Sequence, residues 1–237
     1  MAKRQARFTS QDLAGDPQLS DDSPELWPED LGEVARKLLT SAVRCFAANG
    51  YHATTTRDIA AGVGLSPAAM YVHFPTKELV LCTIIRSAHE RALADLRTPE
   101  VERAGDAAAT LRVLISRYTA WHARHHVAAR VAQYELAGLT AEHYEDILRL
   151  RHQTNEVFRH AVARGVADGT FDRIDVHRVV RAMLSLAIDL IRWYRLDGSD
   201  HPEELGEFYA GLALKMVTGP AEPAPRATSG RTARRPR

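Results

Sequence analysis

Residues 50–79 read GYHATTTRDIAAGVGLSPAAMYVHFPTKEL, and every helix boundary in this stretch is written in its side chains. Thr55 stands where a helix begins, and Asp58, three residues later, can close a capping box with it. The helix predicted over 56–63 turns Ile59 and Ala60 inward and stops at Gly64, a residue able to take the left-handed conformation. Leu65 packs back, Ser66 caps the next helix and Pro67 suits its first turn. That helix is short, 67–74, and Pro75-Thr76-Lys77 breaks it and starts another. Two short helices joined by a tight glycine turn make a helix-turn-helix. Ahead of them, Leu31, Val34, Leu38, Leu39, Ala42, Val43 and Phe46 recur near a 3.6 period and predict an amphipathic helix over 30–49, stopped by Asn49-Gly50.

The motif resembles the N-terminal domain of the TetR family of transcriptional regulators. The resemblance is carried by Gly50-Tyr51, Thr54-Thr55, Arg57-Asp58-Ile59-Ala60, Gly64, Ser66, Tyr71, His73-Phe74 and Lys77-Glu78-Leu79. It implies a double-stranded DNA operator as partner, with helix 67–74 in the major groove. The exposed positions of that helix are Ser66, Ala68, Ala69, Tyr71, Val72 and His73, none of them one of the usual bidentate base readers. Reading is therefore expected by close approach and by methyl contacts from Ala68 and Ala69, with Arg57 as the hydrogen-bonding base reader. Thr55, Tyr71, His73 and Lys77 match positions where the family touches phosphates. Val72 departs from the family, which often has a longer polar residue there.

The rest of the chain bounds the class. It has 237 residues, 45% hydrophobic and 26% charged, with a net charge of +1, so any DNA affinity must come from local patches. Cys45 and Cys82 have no metal-ligand spacing and fit buried thiols in a reducing cytoplasm. The start MAKRQARFTS carries no apolar run, and Met183 to Ile191, broken by Asp189, is too short to span a bilayer, so no membrane partner is expected. Residues 1–24 read as a flexible arm in which Lys3, Arg4 and Arg7 come first, and 218–237 as a disordered basic tail. Between them only helical patterns occur: 77–97, 106–124, 127–138, 141–168, 175–195 and 202–217 follow the motif. The predicted class is all-α, with a helix-turn-helix domain over 25–76 and a helical ligand-binding and dimerisation domain over 77–217.

Helix 175–195 is apolar nearly all round, and helix 202–217 carries Leu205, Phe208, Tyr209, Leu212, Ala213 and Met216 on one face. The resemblance implies that these two helices pair with their mates in a homodimer, which would place two recognition helices about 34–36 Å apart on a palindrome. It also implies an inducer pocket among helices 106–195. Candidate lining residues are Tyr118, Trp121, His122, Tyr134, Phe158, Met183 and Trp193, set against plain core packing. Asp189, a carboxylate inside an apolar helix, is expected either to pair with Arg192 or to contact a ligand.

The run from Asp189 to Gly198, then Pro202 to Leu205 and Phe208-Tyr209, is similar to an actinobacterial branch of the family that controls lipid or sterol catabolism and responds to acyl-CoA thioesters. Gly165 to Asp175 fits that branch too, whereas Leu196 stands where it more often has proline. The likeness implies an apolar pocket for the acyl chain, with Arg192 facing the CoA phosphates. His122, His125 and His126 have the i, i+3, i+4 spacing of a metal face, but no cysteine or carboxylate stands at ligand spacing nearby, so no metal or other cofactor is assigned. These histidines can instead line an anion-binding mouth. No phosphate loop, nucleophile elbow or metal-hydrolase motif occurs, and the chain is read as no enzyme. Two other readings stay open: a repressor sensing a cationic or aromatic drug-like compound, and a helical small-molecule-binding protein with degenerate DNA binding.

Overall fold

The computed structural model describes residues 24–218, and every regular element among them is helical. The expectations for the N-terminal arm, with Lys3, Arg4 and Arg7, and for the basic tail fall outside the described residues. The α-helices are α1 (Glu33–Asn49), α2 (Thr56–Ala61), α3 (Pro67–His73), α4 (Lys77–Asp95), α5 (Pro99–Glu102), α6 (Ala107–Arg124), α7 (His126–Tyr134), α8 (Ala141–Ala167), α9 (Val176–Asp189) and α10 (Pro202–Val217). Short 3-10 turns cover Pro24–Leu26, Leu136–Gly138 and Leu190–Arg192.

The helix-turn-helix forms as its side chains dictate. Thr55 Oγ1 accepts from the Asp58 N–H at 3.2 Å, and the Thr55 N–H donates to Asp58 Oδ2 at 2.8 Å, closing the capping box. Ser66 Oγ accepts from the Ala69 N–H at 3.2 Å. Gly64 takes φ +71°, which lets the Leu65 N–H reach back to Ala60 O at 2.9 Å. Ile59, Ala60, Met70 and Phe74 join Leu38, Leu39, Ala42, Val43 and Phe46 of α1 in one core. Gly62 is required by a close approach: a Cβ there would lie 2.2 Å from Ser41 Oγ, whose hydroxyl donates to Ile59 O at 2.8 Å.

Several boundaries differ from expectation. The first helix starts at Glu33, because Leu31 N–H closes a turn onto Pro28 O at 3.3 Å and Gly32 is the N-cap. That turn buries Trp27, whose indole N–H donates to Thr40 Oγ1 at 3.0 Å; Val34 is left on the outside. The one-turn α5 was not foreseen. The helix predicted over 175–195 ends at Asp189, and the following 3-10 turn tucks Leu190 and Ile191 into the core. It is not buried all round: Leu186 of α9, with Phe208 and Leu212 of α10, lies exposed.

The three neighbouring histidines do not share a helix face, because the chain breaks at His125 between α6 and α7. All three are buried. Trp121 contacts the rings of His122 and His125 at 5.0 and 4.9 Å, and His126 meets Tyr194 at 5.3 Å. They are core aromatics, and among the described residues no cluster of metal-ligating side chains occurs.

Helix α4 runs from the motif into the second half and packs on α1, α7 and α8. Its first residue holds the joint. Lys77 Nζ donates to Tyr51 O and Thr54 O, both at 2.8 Å, and lies 4.2 Å from the centre of the Tyr51 ring. The Tyr51 N–H donates to Glu135 Oε2 at 3.2 Å, just beyond α7. Glu78 Oε1 accepts from the Thr140 N–H at 3.0 Å and lies 2.7 Å from His143 Nδ1.

Lys77→Met removes two charge-assisted hydrogen bonds to part-buried carbonyls, and urea unfolding without DNA is expected to show a loss of roughly 2–3 kcal/mol. A second expectation concerns pH. Burial pushes His89 down to about 3, helped by the Arg151 charge and then by His122. Burial pushes His122 down to about 4, against the hydrogen bond to Tyr118 O. In the unfolded chain both titrate near 6.5. Below that value the unfolded state takes up protons that the folded state refuses, so stability present above pH 6.5 falls as the pH drops toward 4. The urea midpoint is expected to fall between pH 7 and pH 5, and His122→Asn to flatten that slope.

Candidate nucleic-acid interface and ligand cavity

The face formed by α2 and α3 is open. Arg57, Ser66, Ala68, Tyr71, Val72 and His73 are exposed, and Ala69 is half-buried. Tyr71 is 49% exposed and Val72 81%. The Tyr71 hydroxyl points to Thr56 Oγ1 at 3.5 Å, which brings the first turn of α2 beside α3 and adds Thr56 to the face. The Thr55 hydroxyl is engaged by its own cap, donating to Asp58 Oδ2 at 2.7 Å while accepting from the Asp58 N–H. Lys77, expected among the phosphate contacts, is turned inward onto Tyr51 O and Thr54 O. Its ammonium satisfies carbonyls in the turn between α1 and α2 that would otherwise lack partners.

A cavity of about 330 Å³ lies between α4, α6, α7, α8 and α9. Of the predicted lining residues, Tyr118, Trp121, His122, Tyr134 and Asp189 are in its wall. The others lie elsewhere. Phe158 is fully buried edge-on to the Tyr118 ring, with centroids 5.3 Å apart. Met183 lines a crevice toward Tyr209 and Leu212 of α10. Trp193 is 46% exposed beyond the 3-10 turn. Asp189 is not a buried carboxylate inside an apolar helix: it sits at the exposed end of α9 and pairs with Arg192 at 3.4 Å.

The wall also holds groups that the sequence reading missed: His89 from α4, Gln133 from α7, Arg151 and Asn155 from α8, Arg181 and Ser185 from α9. One signal for them existed in the spacing, since Arg151 and Asn155 are i, i+4 on α8. The Arg151 Nη2 donates to Gln133 Oε1 at 3.0 Å. Nε2 of His89 is buried without a partner. His122 donates from Nδ1 to Tyr118 O at 2.8 Å, which makes Nε2 the acceptor nitrogen of the neutral ring. Desolvation pushes the Tyr118 hydroxyl well above its ordinary range.

The cavity touches the DNA-facing half through two elements. Ala88, His89 and Ala92 belong to α4, whose first residue is Lys77. Gln133 and Tyr134 end α7 directly before Glu135, which accepts from the Tyr51 N–H. Among the described residues no helix is long and apolar enough to cross a membrane.

Known proteins share this arrangement. Residues 38–81 match the family described as bacterial regulatory proteins, tetR family, and residues 104–217 match the tetracyclin repressor-like C-terminal domain. The HTH-type transcriptional repressor KstR2 of Rhodococcus jostii is 32% identical over 188 residues, which covers 78% of this chain and 91% of that protein. The structure of the ketosteroid transcriptional regulator KstR2 of Mycobacterium tuberculosis is 26% identical with a TM-score of 0.74, covering 80% of this chain and 97% of that one. AibR, solved with isovaleryl coenzyme A and operator DNA, is 21% identical with a TM-score of 0.68 over 79% of this chain and 100% of its own, a likeness of fold. With a relative this similar along nearly its whole length, and with both halves matched, the chain belongs to the TetR family of bacterial transcription regulators, a family of DNA-binding proteins and not of enzymes.

Proposed function

We propose that this protein is a homodimeric transcriptional repressor that leaves a palindromic operator when a hydrophobic acyl-CoA or other lipid-derived thioester enters the cavity. In this reading 25–76 is the DNA-binding domain, 77–217 binds ligand and dimerises, and the protein acts in the cytoplasm, where the chromosome is. The observation that carries it is the pair of links between cavity and motif, one along α4 and one from α7 through Glu135 to Tyr51. Ligand that favours one arrangement of these links shifts the population toward it, and the coupling is reciprocal.

DNA contacts are assigned to Arg57, Ala68 and Ala69 for bases, and to Ser66, Thr55, Tyr71 and His73 for phosphates; Thr56 joins the second group because Tyr71 reaches it. The exposed apolar side chains Leu186, Phe208 and Leu212 mark the face of α9 and α10 that supports the dimer, since apolar patches of this kind signal association. The repressor KstR2, whose solved relative is a ketosteroid transcriptional regulator, supports a repressor of lipid or steroid metabolism, and AibR supports a CoA thioester as the class of ligand. A cavity of about 330 Å³ is at the low end of ligand pockets, about 300–1,000 Å³, so it takes an acyl group and leaves the nucleotide at its exposed edge.

Fluorescence anisotropy of the intact protein on duplex from its own upstream region, with excess random duplex, tests the reading. Competitor-resistant binding is expected, with release on titration of an acyl-CoA chain-length series. Equal loss to random duplex, or no release across the series, would count against it. Arg57→Ala is expected to weaken operator binding about 5- to 150-fold, from a base contact of about 1–3 kcal/mol, and to relax specificity at one position. Tyr71→Phe is expected to weaken binding to all sequences alike, as a phosphate contact does.

A further inference from the structure

The cavity is more polar, and more positive, than a hydrocarbon chain requires. Arg151 and Arg181 both line it. Arg151 donates to the neutral Gln133 amide, and Arg181 Nη2 lies 3.2 Å from His177 Nε2; neither is ion-paired to a carboxylate among the described residues. The one carboxylate in the wall, Asp189, is engaged by Arg192. The two guanidinium groups differ in place: Arg181 is exposed at the cavity edge, whereas Arg151 is half-buried. The Arg151 charge reaches inward as well, since it helps depress His89 and opposes the upward push on Tyr118. Beside it, His89 Nε2 is buried with no partner, and Asn155 stands one turn along α8 in the same wall. A half-buried guanidinium without a counter-charge and an orphaned ring nitrogen are both costly to leave unmet.

A methyl-terminated acyl chain would leave both unmet, and a cationic ligand would be repelled by Arg151. We infer that the buried side of this cavity binds a carboxylate, held by the Arg151 fork with hydrogen bonds from His89 Nε2–H and Asn155. The ligand is then an ω-carboxyacyl thioester or a free dicarboxylate; this deepens the proposed ligand site and rests on that reading for the thioester. A carboxylate suits a guanidinium because two parallel N–H···O bonds form at once. Within the thioester, the acid marks the end of the acyl group that enters first, and Arg181 stands at the edge where the CoA emerges.

Binding to the full-length protein without DNA, followed by calorimetry and by intrinsic tryptophan fluorescence, separates the possibilities with four probes: hexanoyl-CoA, adipoyl-CoA, hexanoate and adipate. Adipoyl-CoA is expected to bind at least tenfold tighter than hexanoyl-CoA. Arg151→Gln is expected to erase that preference and Arg151→Lys to restore part of it, with thermal melts showing that each variant is folded. Arg151-dependent binding of adipate without binding of either thioester would keep the carboxylate site and remove the thioester. Equal binding of the two thioesters, with DNA release intact, would overturn the carboxylate and leave the regulator reading standing. Absence of binding by all four probes would overturn the carboxylate site.

Discussion

The ammonium of Lys77 lies between the carbonyls of Tyr51 and Thr54, against the face of the Tyr51 ring, and much of the molecule is arranged around that contact. It ties the first residue of α4 to the turn that delivers the chain from α1 to α2. The Tyr51 backbone is held from the other side by Glu135, so one residue in the DNA-facing half is held both from α4 and from the residue that follows α7, two of the helices that line the cavity. Two of the three donors of its Lys77 ammonium partner are met by those inward carbonyls. The same geometry gives a change at the cavity two handles on one turn.

The helix Pro67–His73 is short and carries small or apolar side chains at several of its exposed positions. In the proposed reading Ala68 and Ala69 supply methyl contacts, and discrimination rests on how closely the backbone approaches and on Arg57 at the edge. A single weak reader gains specificity when two act on one palindrome, because the half-site energies add while the protein sets their spacing. The open apolar positions on α9 and α10 therefore have a functional as well as a packing significance in the proposed dimer.

The parts of the fold that could be read from residue order are those decided locally. Thr55 with Asp58, Ser66 with Pro67, and Gly64 act within one turn of their own positions, so the helix-turn-helix was legible almost to the residue. The start of α1 was not, because Trp27 finds its partner at Thr40, and Arg91 of α4 donates to Trp27 O at 3.1 Å. The end of α9 was hidden by an apolar run that continues through a tighter turn into the core. In the cavity, the aromatic residues Tyr118 and Trp121 were visible as types, but the polar wall was not. His89 sits between small residues of α4 that read as core, and Arg151 is one arginine of a helix rich in charge; only tertiary packing singles it out.

That packing also weighs the two kinds of ligand the sequence left open. A cationic drug needs a free carboxylate or an aromatic face unobstructed by other cations. Asp189 was the one residue placed to supply the counter-charge, and it is exposed and paired with Arg192 at the end of α9. Trp121 and Tyr118 do line the wall, but His122 and His125 occupy positions edge-on or tilted to their rings, and the Arg151 charge is close enough to act on Tyr118. Facing them are two guanidinium groups whose hydrogen-bond partners are an amide and an imidazole. The electrostatic balance of the cavity thus favours an anion, and it favours the thioester reading over the cationic one because a CoA ester brings negative charge to the edge where Arg181 stands.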